Sequence, residues 1–217
     1  GIGLLAALMI ILFGAFFSSF GALVSASELK GYFRYDVSSN SKHSVIHGTA
    51  PSEQLGASMA TGDFNGDGYR DLLAGSPTYS DQKALRGKVT VFFGGEKFFE
   101  NDDGNMTDIF SEKSLSMNFL GLQTDQQLGV AVAGGDLNGD GIDDIVMGAL
   151  NGGQIFVIFG KKNLYQSSQG KQGLTMDLSV NRPDVILQNE YESEKFGFSL
   201  DIFDCNHDGR NDLFIGA

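Results

Sequence analysis

The sequence predicts an all-β chain, a β-propeller of four-stranded blades present as an incomplete fragment behind an N-terminal apolar segment. Three observations carry that expectation. The phrase "GDFNGDGYRD" at 62–71 returns as "GDLNGDGIDD" at 135–144 and "FDCNHDGRND" at 203–212. Each copy is flanked by short apolar runs broken by Gly, Asn, Asp and Ser, the punctuation of strands and turns. No stretch after residue 30 repeats its apolar residues at helical spacing. Tandem four-stranded units of this size are the signature of propeller blades, because one such sheet cannot bury both faces alone.

Residues 1–27, "GIGLLAALMIILFGAFFSSFGALVSAS", contain no charged side chain, and the first is Glu28. The run belongs to targeting or anchoring rather than to the folded core. Val24-Ser25-Ala26 suits signal-peptidase cleavage after Ala26. The stretch is also long enough to span a bilayer core of about 30 Å, so a cleaved signal peptide and a retained membrane anchor both stand, beside a buried helix. Residues 28–50 then form a linker or first strand, followed by a blade over 51–122, a second over 123–190, and the start of a third over 191–217. Two units and part of a third cannot close a ring of about 4–8 blades, and "LFIGA" stops on a central strand, so both ends are expected to be cut.

The repeat aligns "EQLGASMATGDFNGDGYRDLLAGSP" (53–77), "QQLGVAVAGGDLNGDGIDDIVMGAL" (126–150) and "EKFGFSLDIFDCNHDGRNDLFIGA" (194–217). An aromatic or leucine precedes a glycine in each, as Leu55-Gly56, Leu128-Gly129 and Phe196-Gly197, and the first loop aspartate follows seven residues later. Within a unit, "GASMATG" leads into the acidic loop and "DLLAGSP" leads out. The runs "GKVTVFFGG" (87–95) and "GGQIFVIFG" (152–160) follow, and "LSMNFLGL" (115–122) and "DVILQ" (184–188) supply closing outer strands.

Composition narrows the chemistry. The 217 residues include 30 glycines and carry a formal charge of −12 with no compensating basic stretch, which excludes a nucleic-acid partner. Cys205 stands alone, so no intrachain disulfide forms. Asn105-Met106-Thr107 is the one N-glycosylation sequon, in the polar stretch "ENDDGNMTD".

Numbered from the first aspartate, loop positions 1, 3, 5 and 9 are Asp63, Asn65, Asp67 and Asp71 in the first copy. They are Asp136, Asn138, Asp140 and Asp144 in the second, then Asp204, Asn206, Asp208 and Asp212 in the third. Position 6 is always glycine (Gly68, Gly141, Gly209), and position 7 varies as Tyr69, Ile142 and Arg210. Alternating oxygen ligands, a glycine for the sharp turn and a backbone carbonyl at position 7 describe a Ca²⁺ loop, one ion in each of the three. His and Cys ligands are missing, which disfavours zinc and copper. An EF-hand needs Glu at position 12, where Ala74, Met147 and Ile215 stand. One such loop alone reads equally as a set of Asx turns; three in register do not.

The run of "FG" or "LG", D-x-N-x-D-G-x-x-D and an apolar "GA" or "GSP" resembles the FG-GAP repeat of integrin α-subunit propellers. The repeat also occurs in glycosylphosphatidylinositol-specific phospholipase D and in bacterial and protist surface proteins. The resemblance covers about residues 50–217 and departs mildly, with Leu for Phe at two "FG" positions and "GAP" written as Gly75-Ser76-Pro77, Gly148-Ala149-Leu150 and Gly216-Ala217. It implies a seven-bladed propeller with Ca²⁺ loops on one face and partner binding elsewhere. The favoured function is an extracellular calcium-binding module for a protein or cell-surface ligand, associated with a membrane if residues 1–27 are retained. The alternative is the non-catalytic propeller portion of a secreted hydrolase. No catalytic motif is present: His43 and His47 lie in "SNSKHSVIHG", His207 sits at loop position 4, and no G-x-S-x-G, Walker or H-E-x-x-H pattern occurs.

Overall fold

A computed structural model describes residues 7–11, 21–25, 44–46, 48–81, 84–95, 107–108, 116–162, 164, 174–189 and 195–217. Among these the regular structure is entirely strand. From the N-terminal run come β1 (Ala7–Ile11) and β2 (Gly21–Ser25), which pair antiparallel from Ala7↔Ser25 to Ile11↔Gly21. The remainder of 1–27, with the expected cleavage after Ala26, lies outside the described residues, as do His43, His47 and Asn105. No helix among the described residues is long and apolar enough to cross a membrane.

Short two-stranded pairs join β3 (Ser44–Val45) to β9 (Thr107–Asp108) and β6 (Ser80–Asp81) to β7 (Ala84–Leu85). The first blade orders β4 (Met59–Gly62), β5 (Asp71–Ser76), β8 (Lys88–Phe92) and β10 (Ser116–Leu120) antiparallel from the inside outward. The second repeats it with β11 (Leu128–Gly135), β12 (Asp144–Ala149), β13 (Gln154–Ile158) and β15 (Val185–Gln188). The third is begun by β16 (Ser199–Phe203) and β17 (Asp212–Gly216). All four runs expected of a unit are therefore strands in the expected order. One strand was not anticipated. β14 (Leu174–Asp177) lies within 123–190 yet pairs parallel with β10 of the first blade, as its fifth and outermost strand.

Two cores between blades explain the continuous apolar strands. Along β12, Ile145, Met147 and Ala149 join a cluster with Leu73, Val89, Val91 and Met117 of the first blade. Val146, on the opposite face, joins Leu200, Ile202, Leu213 and Ile215 of the third. A strand covered on both sides loses the polar alternation of a half-exposed one, and all six residues of β12 are buried. On β16, which has a sheet packed on one side only among the described residues, burial alternates, and Phe203 and Phe214 are exposed on the outer face with their rings stacked at 4.3 Å.

The two ends of the repeat motif meet at these seams. A Cβ added to Gly75 would lie 2.1 Å from the Gly129 carbonyl oxygen, and one added to Gly148 would lie 2.2 Å from that of Gly197. The glycine leaving one acidic loop is thus the backbone-to-backbone contact for the glycine entering the next, at the same place in both seams. Ser58 Oγ reinforces the first by donating to the Gly129 carbonyl at 2.8 Å.

Candidate metal centre

Each acidic loop joins the inner two strands of a blade: β4 to β5, β11 to β12, β16 to β17. Side-chain oxygens fold it by accepting bonds from its own amides, as Asx residues do. In the first loop Asp63 accepts from Asp67 N at 3.1 Å and Gly68 N at 2.9 Å. Asn65 Oδ1 accepts from Asp67 N at 3.0 Å, and Asp67 Oδ1 from Tyr69 N at 2.9 Å. The other loops repeat the set. Asp136 accepts from Asp140 N and Gly141 N, Asn138 from Asp140 N, and Asp140 from Ile142 N. Asp204 accepts from Asp208 N and Gly209 N, Asn206 from Asp208 N, and Asp208 from Arg210 N. Positions 1, 3 and 5 are thereby gathered in all three copies. Position 6 has φ of 87°, 86° and 86° at Gly68, Gly141 and Gly209, a left-handed turn that disfavours a side chain.

Position 9 is placed differently. Asp71 is buried, with Oδ2 accepting from Phe64 N at 2.9 Å and Oδ1 from Gly94 N at 2.8 Å. Asp144 does the same with Leu137 N and Gly160 N, both at 2.9 Å, and Asp212 accepts from Cys205 N at 3.1 Å. The carboxylate therefore ties position 2 of the loop to the strand that leaves it, and in the first two copies to the start of the segment after the third strand. Burial pushes Asp71 up to about 6; the Gly94 and Phe64 amides oppose this, and the nearby Asp67 and Asp63 charges add to it. Asp144 is also raised, chiefly by burial.

Because position 3 is Asn and position 9 faces the framework, no three Asp, Glu, His or Cys side chains converge into a ready metal cluster among the described residues. The donor chemistry nonetheless fits a hard cation: each loop offers two carboxylates, an amide oxygen and backbone carbonyls at one turn, with no nitrogen or sulfur ligand. His207, at position 4, is exposed at φ 60°, where the other loops have Gly66 and Gly139 at 67° and 79°.

Sequence reasoning passed over two residue positions. Position 2 is a packing residue: the Phe64 ring is fully buried against Gly62 and Gly134, and Leu137 packs in the second seam, while Cys205 is exposed. The residue three before the "FG" glycine is a buried cap. Glu53 accepts from Thr49 N and Ala50 N and pairs with Lys88 Nζ at 2.6 Å; Lys88 also sits 4.2 Å over the Tyr79 ring. At the same position in the second blade, Gln126 accepts from Leu122 N and donates to Gln154 Oε1 at 2.8 Å. The recurrence of Glu53, Gln126 and Glu194 was the available signal.

The FG-GAP repeat family matches residues 55–92 and 128–165, the two segments that carry the loops and inner strands of the first two blades. The chain is an FG-GAP repeat protein. It is 30% identical over 177 residues to phosphatidylinositol-glycan-specific phospholipase D of Bos taurus, a match covering 77% of this chain and 19% of the relative. It is 32% identical over 180 residues to integrin alpha-IIb of Mus musculus, covering 79% and 16%. It is 30% identical over 171 residues to integrin alpha pat-2 of Caenorhabditis elegans, covering 76% and 13%. The chain thus spans about a fifth or less of the length of these relatives. The FG-GAP repeats and the stacked sheets identify the fold as a β-propeller, of which this chain holds a part.

Proposed function

We propose that this chain is a calcium-binding propeller module, lying outside the cytoplasm, that holds a protein or cell-surface ligand. What carries the calcium reading is the threefold recurrence of one oxygen-rich loop, with positions 1, 3 and 5 folded inward by the same amide bonds. Asp63, Asn65, Asp67 and the Tyr69 carbonyl would hold the first ion, with the corresponding residues serving the second and third. Asp71, Asp144 and Asp212 complete the ligand sets or stay as framework anchors. A bound cation supplies the positive charge that the clustered carboxylates lack, and three would halve the formal charge of −12. The ligand-holding role is supported by the integrin relatives, and the phospholipase D relatives favour a second reading, the non-catalytic propeller of a secreted hydrolase.

Thermal melts of the chain in excess Ca²⁺ and in EDTA test the first part. A site occupied at one hundred times its dissociation constant adds about 2.7 kcal/mol, so the Ca²⁺ melt is expected at clearly higher temperature. Coincident melts would sink the calcium reading. On either reading this segment itself turns over no phosphodiester, and hydrolysis by the purified chain would overturn both.

A further inference from the structure

The acidic loops are not independent of one another. Asp143, at position 8 of the second loop, accepts from Asp63 N through Oδ2 at 2.9 Å, and its own amide donates to Asp63 O at 3.1 Å. Both peptide groups flanking the first ligand position of one loop are therefore held by the next blade. Arg70, at position 8 of the first loop, donates to the same Asp143 Oδ2 at 3.1 Å. The second seam repeats the connection with different chemistry: Asn211, at position 8 of the third loop, donates from Nδ2 to Asp136 O at 3.1 Å. Position 8 of each following loop thus holds position 1 of the loop before it. Neither residue is a metal ligand in the 1-3-5-7-9 pattern.

We propose that Asp143 and Asn211 are positioning residues that couple cation binding at successive loops, so that occupancy of one blade's loop raises the affinity of the preceding blade's loop across the seam. The proposal rests on the calcium reading of the loops. Its physical basis is that Asp63 and Asp136 must keep their carboxylates folded over the turn, and that their main chains are fixed from the neighbouring blade. A loop stiffened by its own cation holds position 8 still. The preceding loop then loses less freedom when it binds.

Tyr69 offers a reporter specific to one loop, since positions 7 of the others are Ile142 and Arg210. Tyrosine-sensitised Tb³⁺ luminescence, with Tyr69→Phe as blank, reads the first loop, while calorimetry with Ca²⁺ counts all sites. The expected result is three ions bound with a Hill coefficient above 1. Asp143→Ala should leave the stoichiometry at three and weaken the first loop about 5-fold, the lower end of ordinary coupling between sites. Asp143→Asn, which keeps an oxygen acceptor, should restore it. A latch that only supports the fold would lower the melting temperature without separating the first loop's affinity from the others. Three ions bound with identical first-loop curves in wild type and Asp143→Ala would overturn the coupling and leave the calcium reading standing. Absence of any cation uptake would overturn both. Should Asp143→Ala fail to fold, Asn211→Ala tests the second latch, with the reporter moved by Tyr69→Phe and Ile142→Tyr.

Discussion

Phe64→Ala should be the most damaging single truncation in the acidic loops, although position 2 ligates nothing. The ring is fully buried. It fills the space left by two glycines on opposite sides of the first seam. A methyl group at Gly62 would lie 2.6 Å from Phe64 Cε1, and one at Gly134 would lie 2.8 Å from Cζ. An aromatic side chain buries ~150–250 Å², which at ~25 cal/mol per Å² is about 4–6 kcal/mol before the retained methyl is deducted. Measured Phe→Ala losses in cores run about 3–5 kcal/mol, and a ring that is fully buried within the apolar cluster between the blades belongs in that range. In urea denaturation with a slope of ~2 kcal/mol/M, a loss of about 4 kcal/mol moves the midpoint down by about 2 M. Cys205→Ala is the internal control, since Cys205 holds the same loop position but is exposed, and it should change stability by less than about 0.5 kcal/mol. A Phe64→Ala loss below about 1 kcal/mol would refute the view that position 2 locks the seam.

Three further outcomes follow from named contacts. Glu53→Ala leaves buried Lys88 without its carboxylate partner and should cost about 3–5 kcal/mol in chemical denaturation, whereas the double change Glu53→Gln with Lys88→Gln, which copies the Gln126–Gln154 pair, should return to within about 1 kcal/mol of wild type. Asp177 is held well below the usual carboxylate range, first by its hydrogen bond from Arg86. Its stabilising contribution is therefore present above the ordinary Asp value of about 3.9 and fades as pH falls below it, so the stability gap between wild type and Asp177→Asn should be wider at pH 6 than at pH 3. His207→Gly should raise stability by about 0.5–1 kcal/mol, because the residue stands at φ 60° where the sister loops use glycine, and unchanged or lower stability would show the turn to be unstrained.

How much of this was legible in the sequence depended on whether a feature is local or joins distant segments. The four strands of a blade were readable because each is a short apolar run next to its partner, with Gly and Asx residues marking the turns. The gathering of Asp63, Asn65 and Asp67 was readable for the same reason: alternate positions on a tight turn share one side. β14 was not. "LTMD" is four residues long, has no turn linking it to its partner, and pairs parallel with a strand far earlier in the chain. The clamp that holds it there joins Arg86 to Asp177, with Asp81 and the Gly121 carbonyl also accepting from the guanidinium. Nothing in the spacing of these residues announces that meeting. The inward turn of Asp71 toward Phe64 N and Gly94 N was hidden likewise, since the ligand pattern and the framework pattern place a carboxylate at the same position 9.

The repeat motif takes its form from the seams rather than from the blades. Gly75 and Gly129 belong to different units, yet their backbones approach more closely than any side chain would allow, and Gly148 and Gly197 do so again one blade on. The acidic loop stands between the two ends of the motif, with position 2 packing into the seam, position 8 bonding the loop before it, and position 9 anchoring position 2. In the first loop the proposed ion ligands thus alternate with residues that face the next blade: Phe64 packs against Gly134, and Arg70 donates to Asp143. A cation held at positions 1, 3 and 5 would therefore also order position 2 between them, which packs against the next blade. On the proposed calcium reading, a bound ion would therefore stiffen the seam between blades as well as its own loop.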